Sequence, residues 1–319
     1  MKTNSYKKKL FIVVFSLLSG ILLIGIGSYY YVFHAPNINQ VKDETFLYIR
    51  DTDTFDDVLK QIESKAVISN RFTFIQVARR LKYTHMKPGR YALENKMSNV
   101  ELIRKLRNAQ QDPVKLQFNS LRTKEQLAGR IAEQIMVDSM SLITLMNDPE
   151  FLKQYEVTPA TVISLFIPNT YEVFWNIKAE NLFKRMKREY DHFWTSERKA
   201  KAAAIPMTQE EVIILASIIQ EETNKKSEYP IIAGLYINRL RKKMPLQACP
   251  TVKYAVGDFT LQRILYKHLK VDSPYNTYKY PGLPPGPIRT PSTTCIDAVL
   301  NYEKHDYLYM AADASLNGG

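Results

Sequence analysis

Residues 10–33 read LFIVVFSLLSGILLIGIGSYYYVF, twenty-four positions without a charged side chain. About twenty apolar residues suffice to cross the hydrocarbon of a bilayer, and Tyr29, Tyr30 and Tyr31 fall where an interfacial aromatic belt belongs. Lys2, Lys7, Lys8 and Lys9 precede the run, and the next lysine is Lys42. The positive-inside rule therefore keeps residues 1–9 cytoplasmic, treats 10–33 as a transmembrane helix and puts everything from residue 34 outside the cytoplasmic membrane. A cleaved signal peptide shares the basic start, but its apolar region is typically about 7 to 15 residues, so the length favours an anchor. Either way the rest of the chain is exported.

Export narrows what a net charge of +12 can mean, because an external domain seldom meets nucleic acid. Anionic lipid headgroups or acidic wall polymers are the partners such a surface suits. Runs such as Arg239, Arg241, Lys242, Lys243 read equally well as a solvated basic face. Two cysteines, Cys249 and Cys295, are too few for a disulfide framework, and a single bridge and two free thiols are equally consistent with the sequence. The histidines show no HExxH or Cys/His spacing, so no metal is implied.

After a polar stretch, residues 46–50 read as a strand, and 54–63 as a helix capped by Thr54. A helix over 70–82, a turn at Lys87, Pro88 and Gly89 into a second strand, and a capped helix over 98–108 complete a small α+β module, placed at 41–112. Gln111, Asp112 and Pro113 mark a boundary to a second, mixed α+β domain over 113–319, opening with a strand at 114–118 and a helix at 123–135. Two or three further helices are expected between residues 139 and 204. SLFIPNTYEVFW, 164–175, reads as an aromatic-rich loop, its rings either exposed for stacking or gathered in a buried cluster.

The best-defined helix follows Pro206, where Thr208 and Glu211 form a capping box for TQEEVIILASIIQEET. Counted back from Glu222 at helical spacing, Ile219, Ile218 and Leu215 share its face. A carboxyl at the end of an apolar stripe loses solvent, which disfavours its charged form and suits it to hold a proton near neutrality. Glu221 looks back on Ile218, Ser217 and Ile214, a more polar face. Periodicity alone leaves equal room for both glutamates simply to decorate a solvated helix end.

LASIIQEET is followed by GLYINRL at 234–240, LQACPTVKYAVG at 246–257 and SPYNTYKYPGLPPGPIRTPS at 273–292. In order and spacing these four motifs resemble the endolytic murein transglycosylase, or YceG-like, family. KPGRYALENKMSNVELIRKL at 87–106 and the IPNTYEVFW stretch are also similar to their counterparts there. The resemblance implies one membrane anchor, a LysM-like module and a catalytic domain. It further implies a lyase of peptidoglycan that breaks the β-1,4 bond between N-acetylmuramic acid and N-acetylglucosamine and leaves a 1,6-anhydro end, trimming or terminating nascent strands. In the family motif two glutamates are separated by one residue and the second is catalytic. Here Gln220 stands at the first position, Glu222 at the second and Glu221 between them.

By position in the matching motifs, Gln247, Thr251, Tyr254, Asn276 and Tyr278, then Asn238 and Arg239, are expected in a substrate cleft, each with a structural role as the alternative. The Pro/Gly-rich 273–288 segment is expected as a rigid loop crossing that cleft. No cofactor is implied, and the partners are glycan strands, the membrane and enzymes of wall synthesis. Family members usually continue past AADASLNGG with a short His-containing segment and a closing helix, so two readings of residue 319 stay open: a true end that leaves the catalytic domain short of an edge, or a truncation that leaves the function unchanged. Two rival readings remain: a non-catalytic wall receptor that recruits synthesis enzymes, and a hydrolase of the same fold.

Overall fold

The computed structural model describes residues 2–310, and the backbone forms two compact units, each mixed α and β except for the long N-terminal helix. Unit 1 takes in Met1–Val114 with Val173–Asn176, and unit 2 Lys115–Glu172 with Ile177–Gly319. Residues 311–319, which bear on where the second domain ends, lie outside the described residues.

Unit 1 begins with α1, Lys2–Phe33, whose 7–33 portion is long and apolar enough to cross a membrane. Then come β1 (Pro36–Asn39), β2 (Phe46–Ile49), α2 (Phe55–Lys65), β3 (Val67–Ile68), α3 (Arg71–Arg80), β4 (Gly89–Ala92), β5 (Met97–Ser98) and α4 (Asn99–Arg107). Local chemistry sets the helix starts. Thr54 caps α2 in a box with Asp57, Asn70 caps α3, and Ser98 caps α4 in a box with Glu101, each satisfying orphan N–H groups of a first turn. β2 and β4 pair antiparallel, with Leu47 opposite Tyr91, and burial alternates along both strands. The polar stretch after α1 is not irregular throughout. Within it β1 lies between β3 and β5 in a three-stranded antiparallel sheet, a pairing that two-residue strands give no periodic signal for. Val58, Leu59, Ile62, Phe74, Val77, Leu102, Ile103 and Leu106 fill the core.

Unit 2 runs from β6 (Val114–Phe118) through α5 (Lys124–Ala132), α6 (Ser139–Met146), α7 (Pro149–Lys153), β7 (Asn169–Val173), α8 (Ala179–Phe193), α9 (Ser196–Ala204), α10 (Gln209–Glu222), α11 (Tyr229–Arg241), α12 (Cys249–Val256) and α13 (Thr293–Leu300). Between residues 139 and 204 there are four α-helices where two or three were expected. The expected aromatic loop is instead a 3-10 turn at Val162–Leu165 followed by β7, which pairs with β6. Phe118, Phe166, Tyr171 and Phe183 gather there at centroid spacings of 5.5 to 6.1 Å, so long-range packing recruits the run into a sheet edge and its core. The 273–288 segment forms turns without helix or strand, as its prolines require.

α10 is the centre of unit 2. Every residue from Val212 to Ile219 is buried, and α9, α11, α12 and α13 pack around it. A helix that is apolar all round is a core helix, and its last turn brings the two glutamates to the edge of that core. Gly234 of α11 admits a close neighbour: a Cβ there would lie 2.2 Å from the Glu303 carbonyl oxygen, so only glycine lets the chain after α13 cross this helix.

Candidate active site

Glu221 and Glu222 end α10 side by side, yet tertiary contacts divide their roles. Arg122, from the loop before α5, donates Nε and Nη2 to the two Glu221 carboxylate oxygens at 2.7 and 2.9 Å. Arg289, from the loop before α13, donates Nη1 to Oε1 at 2.7 Å and Nε to Ser120 Oγ at 2.6 Å. The Glu221 side chain is only 11% exposed, against 36% for Arg122 and 17% for Arg289. Bidentate and charge-assisted bonds of this kind lock a carboxylate in place. Glu221 joins α10 to two loops that are distant from it in sequence.

Glu222, half-buried, makes no ion pair among the described residues; its one side-chain hydrogen bond comes from Tyr236 Oη, which donates to Oε2 at 3.3 Å. Burial pushes its carboxyl above the ordinary glutamate value, and the Tyr236 hydrogen bond opposes that in part. Tyr236 sits in α11, and burial together with the Glu222 charge holds its phenol protonated. The Tyr278 hydroxyl, 3.2 Å from Cys249 Sγ, is likewise pushed up by burial, by that thiol and by the Glu222 charge. Glu222, Tyr236, Tyr278 and Cys249 thus form one electrostatic neighbourhood. Gln220 points elsewhere: its Oε1 accepts from Ser292 N at 2.6 Å, fastening α10 to the N-cap of α13, a bond for which a glutamine carbonyl serves as well as a carboxylate.

The other nominated residues divide into two groups. Thr251 and Asn276 are fully buried. Thr251 Oγ1 donates to Ala248 O at 2.7 Å and lies 2.8 Å from Thr277 Oγ1, while Asn276 Nδ2 donates to Leu269 O and Val271 O. Asn238 Nδ2 donates to His305 O, and Arg239 holds Leu308 O and Leu246 O, both at 2.7 Å. These four side chains spend their donors on backbone carbonyls and so fix loops. Gln247, Tyr254 and Tyr278 are at least partly exposed. Gln247 adopts the left-handed region at φ 50°, a conformation that costs a non-glycine residue energy and gathers at functional sites. Tyr254 packs against Tyr275 at 4.8 Å, and both rings line a cavity of about 400 Å³ with Thr123, Lys124, Glu125 and Ile163.

Tyr236, Cys249 and Arg289 lie inside the quoted motifs without being among the residues expected in the cleft, and Arg122 lies in none of the motifs. The first three had motif membership as a signal; Arg122 meets Glu221 across 99 positions and leaves no local trace. The cysteines are free thiols in different surroundings, Cys249 exposed and Cys295 buried with its Sγ 3.2 Å from Ala216 O.

The site thus lies in an α+β unit whose central helix ends in one ion-paired carboxyl and one desolvated carboxyl that has no ion pair among the described residues. The chain belongs to the YceG-like family, whose model matches residues 47–318. It is 34% identical over 208 residues to an endolytic murein transglycosylase of Bacillus subtilis (strain 168), covering 60% of this chain and 56% of that protein. A protein of the same description from Streptococcus pneumoniae (strain R6) is 27% identical over 289 residues, covering 80% of this chain and 51% of the relative. The chain therefore spans about half the length of the curated relatives it matches. A solved YceG-like protein from Listeria monocytogenes shares 30% identity with a TM-score of 0.56, over 84% of this chain and 93% of that one.

Proposed function

We propose that the chain is a membrane-anchored endolytic lytic transglycosylase of peptidoglycan, with Glu222 as its catalytic acid and base. The observation that carries this reading is the division of labour at the end of α10: Glu221 is committed to two guanidinium groups, whereas Glu222 has a raised titration and one phenolic hydrogen bond. The Bacillus and Streptococcus relatives, both endolytic murein transglycosylases, support it.

Glu222 protonates the oxygen of the β-1,4 bond between N-acetylmuramic acid and N-acetylglucosamine, and that bond breaks as the sugar leaves with the proton. The carboxylate so formed takes the proton of the muramoyl 6-hydroxyl while O6 bonds to the anomeric carbon, giving a 1,6-anhydro end and consuming no water. One carboxyl serves both steps in turn, so the paired carboxylates of a hydrolase are not required. Tyr236 positions Oε2 and leaves Oε1 to face the reacting oxygens. Gln247, Tyr254 and Tyr278 line the substrate side; Thr251, Asn276, Asn238 and Arg239 hold the loops that shape it. Residues 41–112 act as the LysM-like glycan-binding module and 113–319 as the catalytic domain. α1 spans the cytoplasmic membrane with its N-terminus inside, which suits trimming or termination of nascent strands beside the synthesis enzymes.

Mass spectrometry of peptidoglycan digested by the protein and by Glu222→Gln tests this. Anhydro-muramoyl ends from the first alone are expected. Reducing ends would make the chain a hydrolase, and equal products from both proteins would remove Glu222 from the chemistry.

A further inference from the structure

The last turn of α1 is not a free leash. Val32 and Phe33 pack against the core of unit 1, and Val32 O, an orphan carbonyl of a helix end, accepts from Asn99 Nδ2 at 2.8 Å. Asn99, 1% exposed, also donates to Thr73 Oγ1 at 3.2 Å and accepts from Asn37 Nδ2 at 2.6 Å. Asn37 exchanges bonds with the backbone of Asn70, N to Oδ1 at 2.7 Å and Nδ2 to O at 3.1 Å. This buried amide network ties the end of α1 to β1, to the start of α3 and to the start of α4. A fully satisfied buried polar network holds one geometry. The direction of α1 is therefore fixed relative to unit 1.

Beside this clamp, in the first turn of α3 next to Thr73, the Phe72 ring is 71% exposed. Tyr29, Tyr30 and Tyr31, one turn before Val32, are 57 to 62% exposed. From these observations we infer that the α1-proximal face of unit 1 is a membrane-contact surface, seated on the phospholipid headgroup region with Phe72 inserted as its apolar anchor. The inference rests on α1 spanning the bilayer. Given that, the tyrosines sit at headgroup depth, and a rigidly held α3 start carries Phe72 to the same level, where an aromatic ring leaves water. Arg71, its neighbour, has a side chain 59% exposed and paired with Glu63, so that its charge is partly neutralised beside the ring. Unit 1 rides flush on the membrane.

The test uses the full chain reconstituted into vesicles with and without lipids brominated in the acyl chains, read by tryptophan fluorescence. Two variants are compared with the unsubstituted protein, whose own signal comes from Trp175 and Trp194. Phe15→Trp places a probe inside the span, and Phe72→Trp places one at the proposed contact. Quenching of both added probes by the brominated lipids, with the probe at position 72 shielded from aqueous iodide, is the expected result. Quenching at position 15 with none at 72, and free access of iodide to 72, would overturn the contact while leaving the anchor in place. Absence of quenching at position 15 would remove the anchor and this inference with it.

Discussion

Glu221 and Glu222 are neighbours of one type on one helix, and isosteric replacement of each should have unequal consequences for folding. In Glu221→Gln the Arg122 and Arg289 guanidiniums lose the anion that accepts three charge-assisted bonds of 2.7, 2.9 and 2.7 Å, and an amide NH2 replaces one acceptor. Breaking a buried pair by removing one partner costs about 3 to 5 kcal/mol, because the remaining charge stays desolvated. Arg289 is 17% exposed and cannot easily reach water, whereas Arg122 at 36% can. The lower end applies: about 3 kcal/mol. Glu222→Gln removes a carboxyl that burial already disfavours as an anion, at the expense of one long hydrogen bond, and its stability should stay within about 1 kcal/mol of the parent. Urea unfolding of the detergent-solubilised chain measures both, since Trp194 is 1% exposed in the core that contains α10. With a urea slope of about 2 kcal/mol per M, the Glu221 variant should unfold roughly 1.5 M earlier and the Glu222 variant nearly with the parent. Equal midpoints for the two variants would refute the division of roles.

Three further outcomes follow from the same geometry. Because the folded Glu222 carboxyl sits above its unfolded value, its contribution to stability is present below the unfolded value and is lost as pH rises through the folded one. Glu222→Gln should therefore gain thermal stability relative to the parent as pH rises through that window from acid towards neutrality; a difference independent of pH, measured by calorimetry, would contradict this. Tyr236→Phe removes the bond that lowers Glu222, so the alkaline limb of the cleavage rate should move to higher pH while the rate falls by about tenfold, the low end expected of a hydrogen bond to a charged group; a limb that moves down would refute Tyr236 as a positioning residue. A maleimide should label one thiol, Cys249, in the folded chain and two after unfolding, since burial pushes the Cys295 thiol up to about 12. Rapid labelling of both before unfolding would show that the packing around α13 is wrong.

Local chemistry was written in the sequence. The uncharged run at 10–33, the caps at Thr54, Ser98 and Thr208, and the apolar core helix ending at Glu222 all follow from hydropathy, spacing and side-chain hydrogen bonding over a few residues. Motif resemblance added the family, which the match over residues 47–318 establishes. Tertiary structure decided the rest. Helical spacing places Ser217 on the side of Glu221 and makes that face the more polar one, but α10 is buried on all sides, and Ser217 spends its hydroxyl on Ile214 O and Ile288 N. The distinction comes instead from Arg122 and Arg289, 99 and 68 positions away from Glu221. The expected loop at 164–175 contains a strand because β6 lies beside it. Asn37, Asn70 and Asn99 read as scattered polar residues until the fold brings their amides together beneath the end of α1. What a residue does with its near neighbours follows from geometry that repeats every two or 3.6 positions, whereas partners drawn from distant segments obey no such period and exist only once the chain has closed on itself.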